Sequence, residues 1–453
     1  MGKKMRRQDA LWIVASDLPK SAGHPFYQRL NVLLEANGFD RFAERVCQRF
    51  YAHGIGRPSL PPGRYFRLLL LGYFEGLHSE RGIAWRAADS LAIRSFLGLG
   101  LDEAAPDHST ISRTRRLIDV EAHREVFSWV QAILARKGLL KGKTVGVDAT
   151  TLEANAAMRS IVRRDTGEKY EKFLMRLAKD SGIRTPTRAA LARLDRRRRN
   201  KTSNKDWTSP SDPDAKVTKM KDGRTHLAHK AEHAVDLDSG ALIAVTTQGA
   251  DEGDTATISE TLAEAEAQLD ALIERAPEEV DLDAPAEVVA DKGYHSDATL
   301  LEIEGGGLRS YISEPDRGRR KWKDDDAQRA VYSNRRRTRG SRGQRLLRMR
   351  GERIERSFAH LYETGGMRRT HLRGHENIRK RILVHASAFN LSLLLRSMIG
   401  RGTPRGLQGL RSLVFALTIA VRDAWEAAAA LWYPSVRSSA SRYDLSIHLP
   451  VIA

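Results

Sequence analysis

Apolar residues recur three and four positions apart through the first third of the chain, and this spacing predicts helices over residues 20–140. Residues 65–74 are a continuous apolar run that is long enough for a buried helix. Residues 79–97 and 120–137 each show the spacing of an amphipathic helix. The first third of the chain is therefore predicted to be helical.

A short basic helix is predicted over residues 111–118, with Ser109 or Thr110 as its N-cap. Two helices, a turn and a basic helix form the outline of a helix-turn-helix, which places its second helix in the major groove of DNA. A basic helix face that is simply solvated fits the same pattern equally well. The basic side chains in question are Arg113, Arg115 and Arg116.

From about residue 141 the pattern changes to short β-branched runs separated by turn signals. Strands are predicted over residues 143–148, over both ends of 229–247 around the turn Asp238-Ser239-Gly240, and over 285–291 and 308–312. Helices are predicted over residues 254–275, 346–361 and 378–398. This order is typical of an α/β fold with a mixed sheet flanked by helices.

Two strongly basic segments interrupt or border this α/β region. Residues 156–225 predict a helical excursion followed by a polar loop, and a structureless loop of this length is uncommon in a compact domain. We therefore expect part of this insert to pack on DNA or on a partner. Residues 317–350 hold 14 Lys or Arg against 3 Asp, which indicates either phosphate contact or solvated surface.

The composition favours a nucleic-acid partner and a reducing compartment. The 453 residues carry a formal net charge of +19, for which the natural partner is a polyanion. Cys47 is the only cysteine, which excludes an internal disulfide and a zinc site built on paired cysteines. The basic N-terminus has no signal-peptide pattern, and the apolar stretch 413–433 contains three charged residues. We expect a cytoplasmic protein with no membrane span.

Two carboxylates mark the ends of predicted buried strands, Asp148 and Asp291. If these strands are neighbours, the two side chains can converge at one edge of the sheet. A third acidic group from a helix would complete a site for Mg²⁺, which prefers carboxylates, water and phosphate oxygens. An aspartate at a strand end is also a common turn former or helix cap, so the residues alone leave both interpretations open.

The local sequence resembles the DDE transposases of bacterial insertion sequences, in the group with a helical N-terminal domain and an RNase H-like catalytic domain. The resemblance covers roughly residues 25–400. It rests on four stretches, PDHSTISRTRR at 106–116, VGVDATTLEANA at 145–156, VVADKGYHSD at 288–297, and the segment from GERIERSF to LSLLLR at 351–396.

The resemblance implies a role for each matched acidic residue. The second and third stretches give the two catalytic aspartates, which are Asp148 and Asp291. The fourth contains the Ile-Glu-Arg-x-Phe pattern, so the third metal-binding carboxylate is Glu355. The implied cofactor is Mg²⁺ or Mn²⁺, as two ions held by these three residues.

The sequence also departs from the family pattern. Many relatives carry a Tyr and an Arg before the catalytic Glu and a Lys seven positions after it, whereas here Gly351 precedes the Glu by four positions and Tyr362 follows it by seven. Arg348 and Arg350 lie nearby, and either could serve as the family arginine. If it is Arg348, Glu352 becomes the alternative third carboxylate. The Ile-Glu-Arg-x-Phe context favours Glu355.

The resemblance also implies partners. We expect double-stranded DNA, both the inverted-repeat ends of the element and the target, and a homodimer or larger assembly on it. Tyr294 could stack on a base or be a packing residue, and Lys292 could contact a phosphate or be solvated. The other candidate phosphate contacts are Arg356, Arg368, Arg369 and Arg373.

The implied organisation is a helical DNA-binding domain at 1–140 and a catalytic domain at 141–400 with the basic insert at about 156–225. The tail 401–453 has no assigned role. Two alternatives stay open: an RNase H-like nuclease that cuts without joining, and a DNA-binding protein without activity.

Overall fold

The computed structural model describes residues 24–52, 59–198, 203–220, 223–275, 282–316, 318, 320, 322, 324–407, 421 and 425. Expectations for residues 1–23, and for most of the tail after residue 407, lie outside these described residues.

Seven helices precede the first strand in the described part of the chain. The central one, α3, is buried at every position from residue 65 to 74, as the continuous apolar run predicts. Pro62 stands at its start, and Gly76, with φ of 68°, ends it in the left-handed conformation. These helices are α1 (Pro25–Ala36), α2 (Phe39–Cys47), α3 (Pro62–Glu75), α4 (Glu80–Asp89), α5 (Leu91–Phe96), α6 (His108–Leu117) and α7 (Val120–Arg136).

Two local predictions in this region were wrong, and side-chain caps explain both. The amphipathic segment 79–97 is two helices, because the Ser90 hydroxyl accepts from Ile93 N and begins α5. The basic helix begins at His108 rather than after Ser109 or Thr110, because the Asp107 carboxylate accepts from the backbone N–H of Ser109.

The strands form one mixed sheet and one small two-stranded sheet. In the large sheet β5 runs antiparallel to β1, β4 and β6, while β7 and β8 continue beyond β1 in parallel. The path β6-β5-β1-β7-β8, with β4 also paired to β5, confirms the predicted RNase H-like fold. The strands are β1 (Thr144–Glu153), β2 (Val162–Arg163), β3 (Trp207–Thr208), β4 (Lys216–Lys219), β5 (Thr225–Asp236), β6 (Leu242–Gly249), β7 (Glu287–Ala290) and β8 (Arg309–Ile312).

The first strand is longer than the sequence predicts. It continues past Asp148 to Glu153, because β5 pairs with it without interruption from Val145 to Glu153. The β-branched Thr150 and Thr151 suit this extension. Asp148 is therefore a mid-strand residue, whereas Asp291 does follow directly on its strand.

Helices cover both faces of the large sheet. Glu232 and His233 are successive residues of β5 and therefore point to opposite faces. Glu232 bonds to Thr257 of α10, and His233 bonds to Ser357 of α13, so these two helices lie on opposite faces. The helices after β1 are α8 (Tyr170–Asp180), α9 (Arg188–Arg197), α10 (Asp254–Arg275), α11 (Asp297–Gly305), α12 (Asp325–Arg339), α13 (Ser341–Phe358) and α14 (His375–Ile399).

Helix α14 joins the N-terminal helices to the sheet. It packs against α3, α7 and β6, and one continuous hydrophobic core runs through all of these elements. It is long and apolar enough to cross a membrane by composition alone, but 78% of its apolar window is buried within the protein. It is therefore a core helix.

The basic insert has small cores of its own. Trp207 of β3 packs with Ile161 and Leu227, and the α8–α9 pair buries Leu174 against Leu191. The predicted helical excursion is present, but the following segment also contains β3 and β4, which the polar composition concealed.

We predict that Asn390→Leu destabilises the fold by about 2 kcal/mol, because a buried backbone N–H would lose its acceptor. Asn390 is fully buried in α14, and its amide exchanges two hydrogen bonds of 2.9 Å with the backbone of Leu242 at the start of β6. Urea unfolding of the full chain measures the loss. Met398→Leu on the exposed side of the same helix is the control, and an equal effect of both substitutions would contradict the assignment.

Candidate active site

Asp148 and Asp291 lie side by side on neighbouring parallel strands. Gly146 of β1 is in register with Val289 of β7, so two residues further along Asp148 reaches the level of Asp291. Adjacent strands are about 4.8 Å apart, and side chains at one level share a face. The negative charge of Asp291 accordingly raises the pKa of Asp148.

The Asp148 carboxyl is partly buried, and burial disfavours its charged form. Its pKa is raised to about 6, first by burial and further by Asp291, while Arg350 and the backbone N–H of Ala149 oppose the rise. Arg350 donates to it over 2.6 Å. The arginine comes from the helix across the sheet face, 202 positions later in the chain.

Asp291 lies directly after β7, at the start of a short turn. Its carboxylate accepts from the backbone N–H of Gly293 over 2.8 Å and so caps the short turn Lys292–Tyr294. A Cβ at Gly293 would lie 3.0 Å from Asp291 Oδ1 and 2.6 Å from Asp254 Oδ2. The close approach at Gly293 places Asp254, the first residue of α10, beside Asp291.

Helix α13 crosses the face of the sheet that carries Asp148. Near its start Arg342 pairs with Glu287 of β7 at 2.7 Å. Further along, Arg350 reaches Asp148, and Ser357 bonds to His233, the residue directly opposite Asp148 on β5. The segment 350–357 is therefore fastened at both ends to one level of the sheet.

Glu355 lies within that fastened segment. It is exposed, and it stands about 7.5 Å of helix rise beyond Arg350 and about 3 Å before Ser357. The three-residue spacing puts it on the side of the helix that holds Phe358, whose ring contacts His233 at 4.8 Å. Glu352 is exposed as well, and it lies one helical turn before Glu355.

His233 is a buried, neutral anchor that sequence reasoning missed. Burial lowers its pKa to about 3, so it is uncharged at neutral pH. Its two ring nitrogens bond to Ser357 Oγ at 2.9 Å and to the hydroxyl of Tyr362 at 2.6 Å. Tyr362 belongs to a π-helical turn, Ala359–Thr364, which continues α13. The sequence signal for this anchor was a histidine within a predicted strand.

A second network that sequence reasoning missed lies on the opposite face. Glu232 is fully buried and accepts hydrogen bonds from Tyr294 Oη at 2.7 Å and from Thr257 Oγ1 at 3.0 Å. Lys230 pairs with Asp254 at 2.7 Å and lies 3.6 Å from Glu232. Burial, and then Glu232, raise the pKa of Tyr294 far above its ordinary value, so the tyrosine remains a hydrogen-bond donor.

The candidate DNA contacts differ in accessibility. Tyr294 is fully buried with its hydroxyl on Glu232, so its ring is not open to a base in this conformation. Arg115 is buried and pairs with Glu80 at 2.7 Å, and Arg368 bonds to Glu363 and to Thr150. Arg356 is half-buried. The exposed candidates are Arg113, Arg116, Lys292, Arg369 and Arg373.

The donor set suits a hard divalent cation, although among the described residues no three acidic, histidine or cysteine side chains are grouped closely enough to form a preformed cage. Two carboxylates converge, and burial, with Asp291 as a smaller cause, raises the pKa of Asp148, so a bound cation would favour its ionised form. Arg350 now supplies part of that positive charge. Its Nε is buried and has no hydrogen-bond partner among the described residues.

Comparison with known proteins gives two matches. Residues 15–117 match the family described as Transposase domain (DUF772), and residues 172–391 match the family described as Transposase DDE domain. Asp291 and Glu355 fall within the second match, while Asp148 lies between the two. A search of curated proteins gives no match.

We predict that Tyr294→Phe lowers the free energy of unfolding by about 1–3 kcal/mol, because the buried Glu232 carboxylate would lose a donor. Equilibrium urea denaturation measures the change. Tyr332→Phe is the matched control, since 48% of Tyr332 is exposed. If the two variants are equally stable, Tyr294 does not support the site in this way.

Proposed function

Because the chain belongs to the insertion-sequence DDE transposases, we propose that it binds the terminal inverted repeats of its own element and cuts and rejoins DNA there. The family membership implies DNA transposition as the activity. The observation that carries the finer proposal is the pairing of Asp148 and Asp291 at one level of two parallel strands, beneath the helix that bears Glu355.

The proposed catalytic and metal-binding residues are Asp148, Asp291 and Glu355. DDE transposases generally use divalent metal ions, and we expect Mg²⁺ or Mn²⁺ here, as two ions. Such ions activate an attacking oxygen and stabilise a leaving oxygen at phosphorus. The three acidic residues would hold the cations, and Glu355 is preferred to Glu352 because it stands in the Ile-Glu-Arg-x-Phe context.

Arg350 has two uses in this proposal. In the absence of DNA its guanidinium neutralises Asp148 and orients the carboxylate. Its guanidinium retains donors beyond the one given to Asp148, which suits a phosphate oxygen of a strand held at the site.

The surfaces around the site suit a polyanion. The exposed Arg113 and Arg116 lie on α6, the exposed Lys292 follows Asp291 directly, and the exposed Arg369 and Arg373 lie beyond the π-helical turn. Contacts of this kind displace counterions, so affinity for DNA should fall steeply with salt. We also propose a cytoplasmic location and a homodimer or larger assembly, because two element ends must be held together.

The same residues would serve both steps of the proposed reaction. Hydrolysis at the element end frees a 3′ hydroxyl, and that hydroxyl then attacks a phosphodiester of the target strand, releasing one strand end as another bond forms. Water and the 3′ hydroxyl are both oxygen nucleophiles, so one arrangement of carboxylates handles both. A nuclease would complete only the first step.

We predict that Asp148→Asn, Asp291→Asn and Glu355→Gln each reduce cleavage of an element-end duplex by about a thousandfold or more, because each removes a proposed metal ligand. DNA affinity should stay equal or rise, since less negative charge faces the phosphates. Glu352→Gln is the control and should retain activity. The measurement is nicking and joining of a labelled duplex with Mg²⁺ or with chelator.

The outcomes separate the alternatives. Metal-dependent nicking with joined products supports a transposase, nicking without joining supports a nuclease, and binding without cleavage supports a DNA-binding protein without activity. An inactive Glu352→Gln beside an active Glu355→Gln would transfer the third role to Glu352.

A further inference from the structure

A cleft of about 410 Å³ lies where the N-terminal helices meet the segment after the π-helical turn. One wall consists of the starts of α4 and α6, and the other consists of residues 366–372. None of its lining residues belongs to the proposed catalytic triad of carboxylates.

The cleft is strongly basic. Four arginines line it, against one carboxylate, Glu80, which is already paired with a lining arginine, Arg115. Arg81 is exposed and has no hydrogen bond or ion pair among the described residues. Arg369 is exposed as well and has only a loose pair with Glu153, at 3.5 Å.

Arg381 forms the floor of the cleft and is a buried cation with neutral partners. It is 5% exposed, and it donates to His385 Nε2 and to the backbone oxygen of Leu77, each over 2.9 Å. Within the described residues no carboxylate lies in ion-pair distance of it. A buried cation of this kind is costly unless an anion accompanies it.

Three histidines, His78, His108 and His371, complete the lining. The rings of His78 and His371 stack at 4.4 Å, one from each wall. Burial lowers the pKa of His371, and the nearby His78, Arg369 and Arg381 lower it further. The positive charge of the cleft therefore disfavours an additional proton on His371.

The cleft is continuous with the proposed catalytic edge. Arg368 donates to Thr150 Oγ1 over 3.0 Å, and Arg369 forms a bridge with Glu153 at the end of β1. Five residues of strand separate Asp148 from Glu153, which is about 17 Å and matches about five base pairs of DNA.

We propose that this cleft binds a backbone phosphate of the bound DNA, about five base pairs from the cut, and so ties the N-terminal helices and the catalytic sheet to one duplex. The inference rests on the proposed function and adds the subsite. A DNA phosphate is favoured over a free anion because the cleft is open, is larger than one phosphate, and lies near the exposed Arg113 and Arg116 of α6.

The test compares Arg81→Gln with Arg41→Gln, an equally exposed arginine on α2 that does not line the cleft. Both are made in the full chain carrying Asp148→Asn, so that binding is measured without cleavage. We expect Arg81→Gln to weaken binding of an element-end duplex about tenfold at low salt, with the slope of log Kd against log salt reduced by about one. Arg41→Gln should match the parent.

A neutral methylphosphonate, placed at one duplex phosphate at a time, locates the contact. At about five base pairs from the cut it should abolish the difference between Arg81→Gln and its parent, and elsewhere the difference should persist. His371→Gln, also at an exposed position, provides a second variant of the same cleft. Thermal melts check that each variant is folded.

Three results would overturn the proposal. The first is an unchanged affinity and salt slope in both Arg81→Gln and His371→Gln. The second is stabilisation of the parent by inorganic phosphate, lost in Arg81→Gln, with DNA affinity unchanged, which would assign the cleft to a free anion. The third is a parent that binds no DNA, which would also end the proposed function. If the wild-type chain binds but does not cut, while Arg81→Gln still weakens binding, the proposed function fails and the cleft assignment stands.

Discussion

The in-register parallel pairing of β1 with β7 places two carboxylates close enough for their negative charges to repel. Much of the surrounding structure compensates for this repulsion. The pairing of β1 with β7 holds the backbones of Asp148 and Asp291 close together. Arg350 of α13 donates a hydrogen bond to Asp148, and the backbone N–H of Gly293 donates one to Asp291. On the other face Lys230 neutralises Asp254, which lies next to Asp291 across Gly293. The site therefore keeps its carboxylates, and each of them has a hydrogen-bond donor or a positive charge beside it.

The helix above this pair is held by contacts on both sides of the proposed third carboxylate. Arg350 and Ser357 bond to directly opposed residues of β1 and β5, and Tyr362 adds a further bond to His233 from the π-helical turn. Because His233 is neutral and buried, this anchor does not depend on pH near neutrality. Glu355 can therefore remain exposed while its backbone is fixed.

Sequence patterns predicted most of the elements and both aspartates, because these depend on local periodicity. Helix α10 begins and ends where the apolar spacing predicts, and Asp291 follows its strand directly. The errors arose where a distant partner decides the outcome: β1 continues past Asp148 because β5 pairs with it, and Arg350 meets an aspartate 202 positions away. Charge counts placed Arg115 among the DNA contacts, but only packing reveals that it is buried against Glu80. The sequence offered Arg348 and Arg350 alike as the family arginine, and only the fold shows that Arg350 is the one that contacts Asp148.

The central position of α14 has a consequence for synthesis of the chain. The apolar surfaces of α3 and α7 are completed by α14, which the ribosome makes about 300 residues after α3. At a synthesis rate of about 5–20 residues per second, these surfaces remain uncovered by α14 for tens of seconds. The nascent chain therefore cannot close its main core in stages from the N-terminus, and during that interval it depends on chaperones or on transient local structure to avoid aggregation.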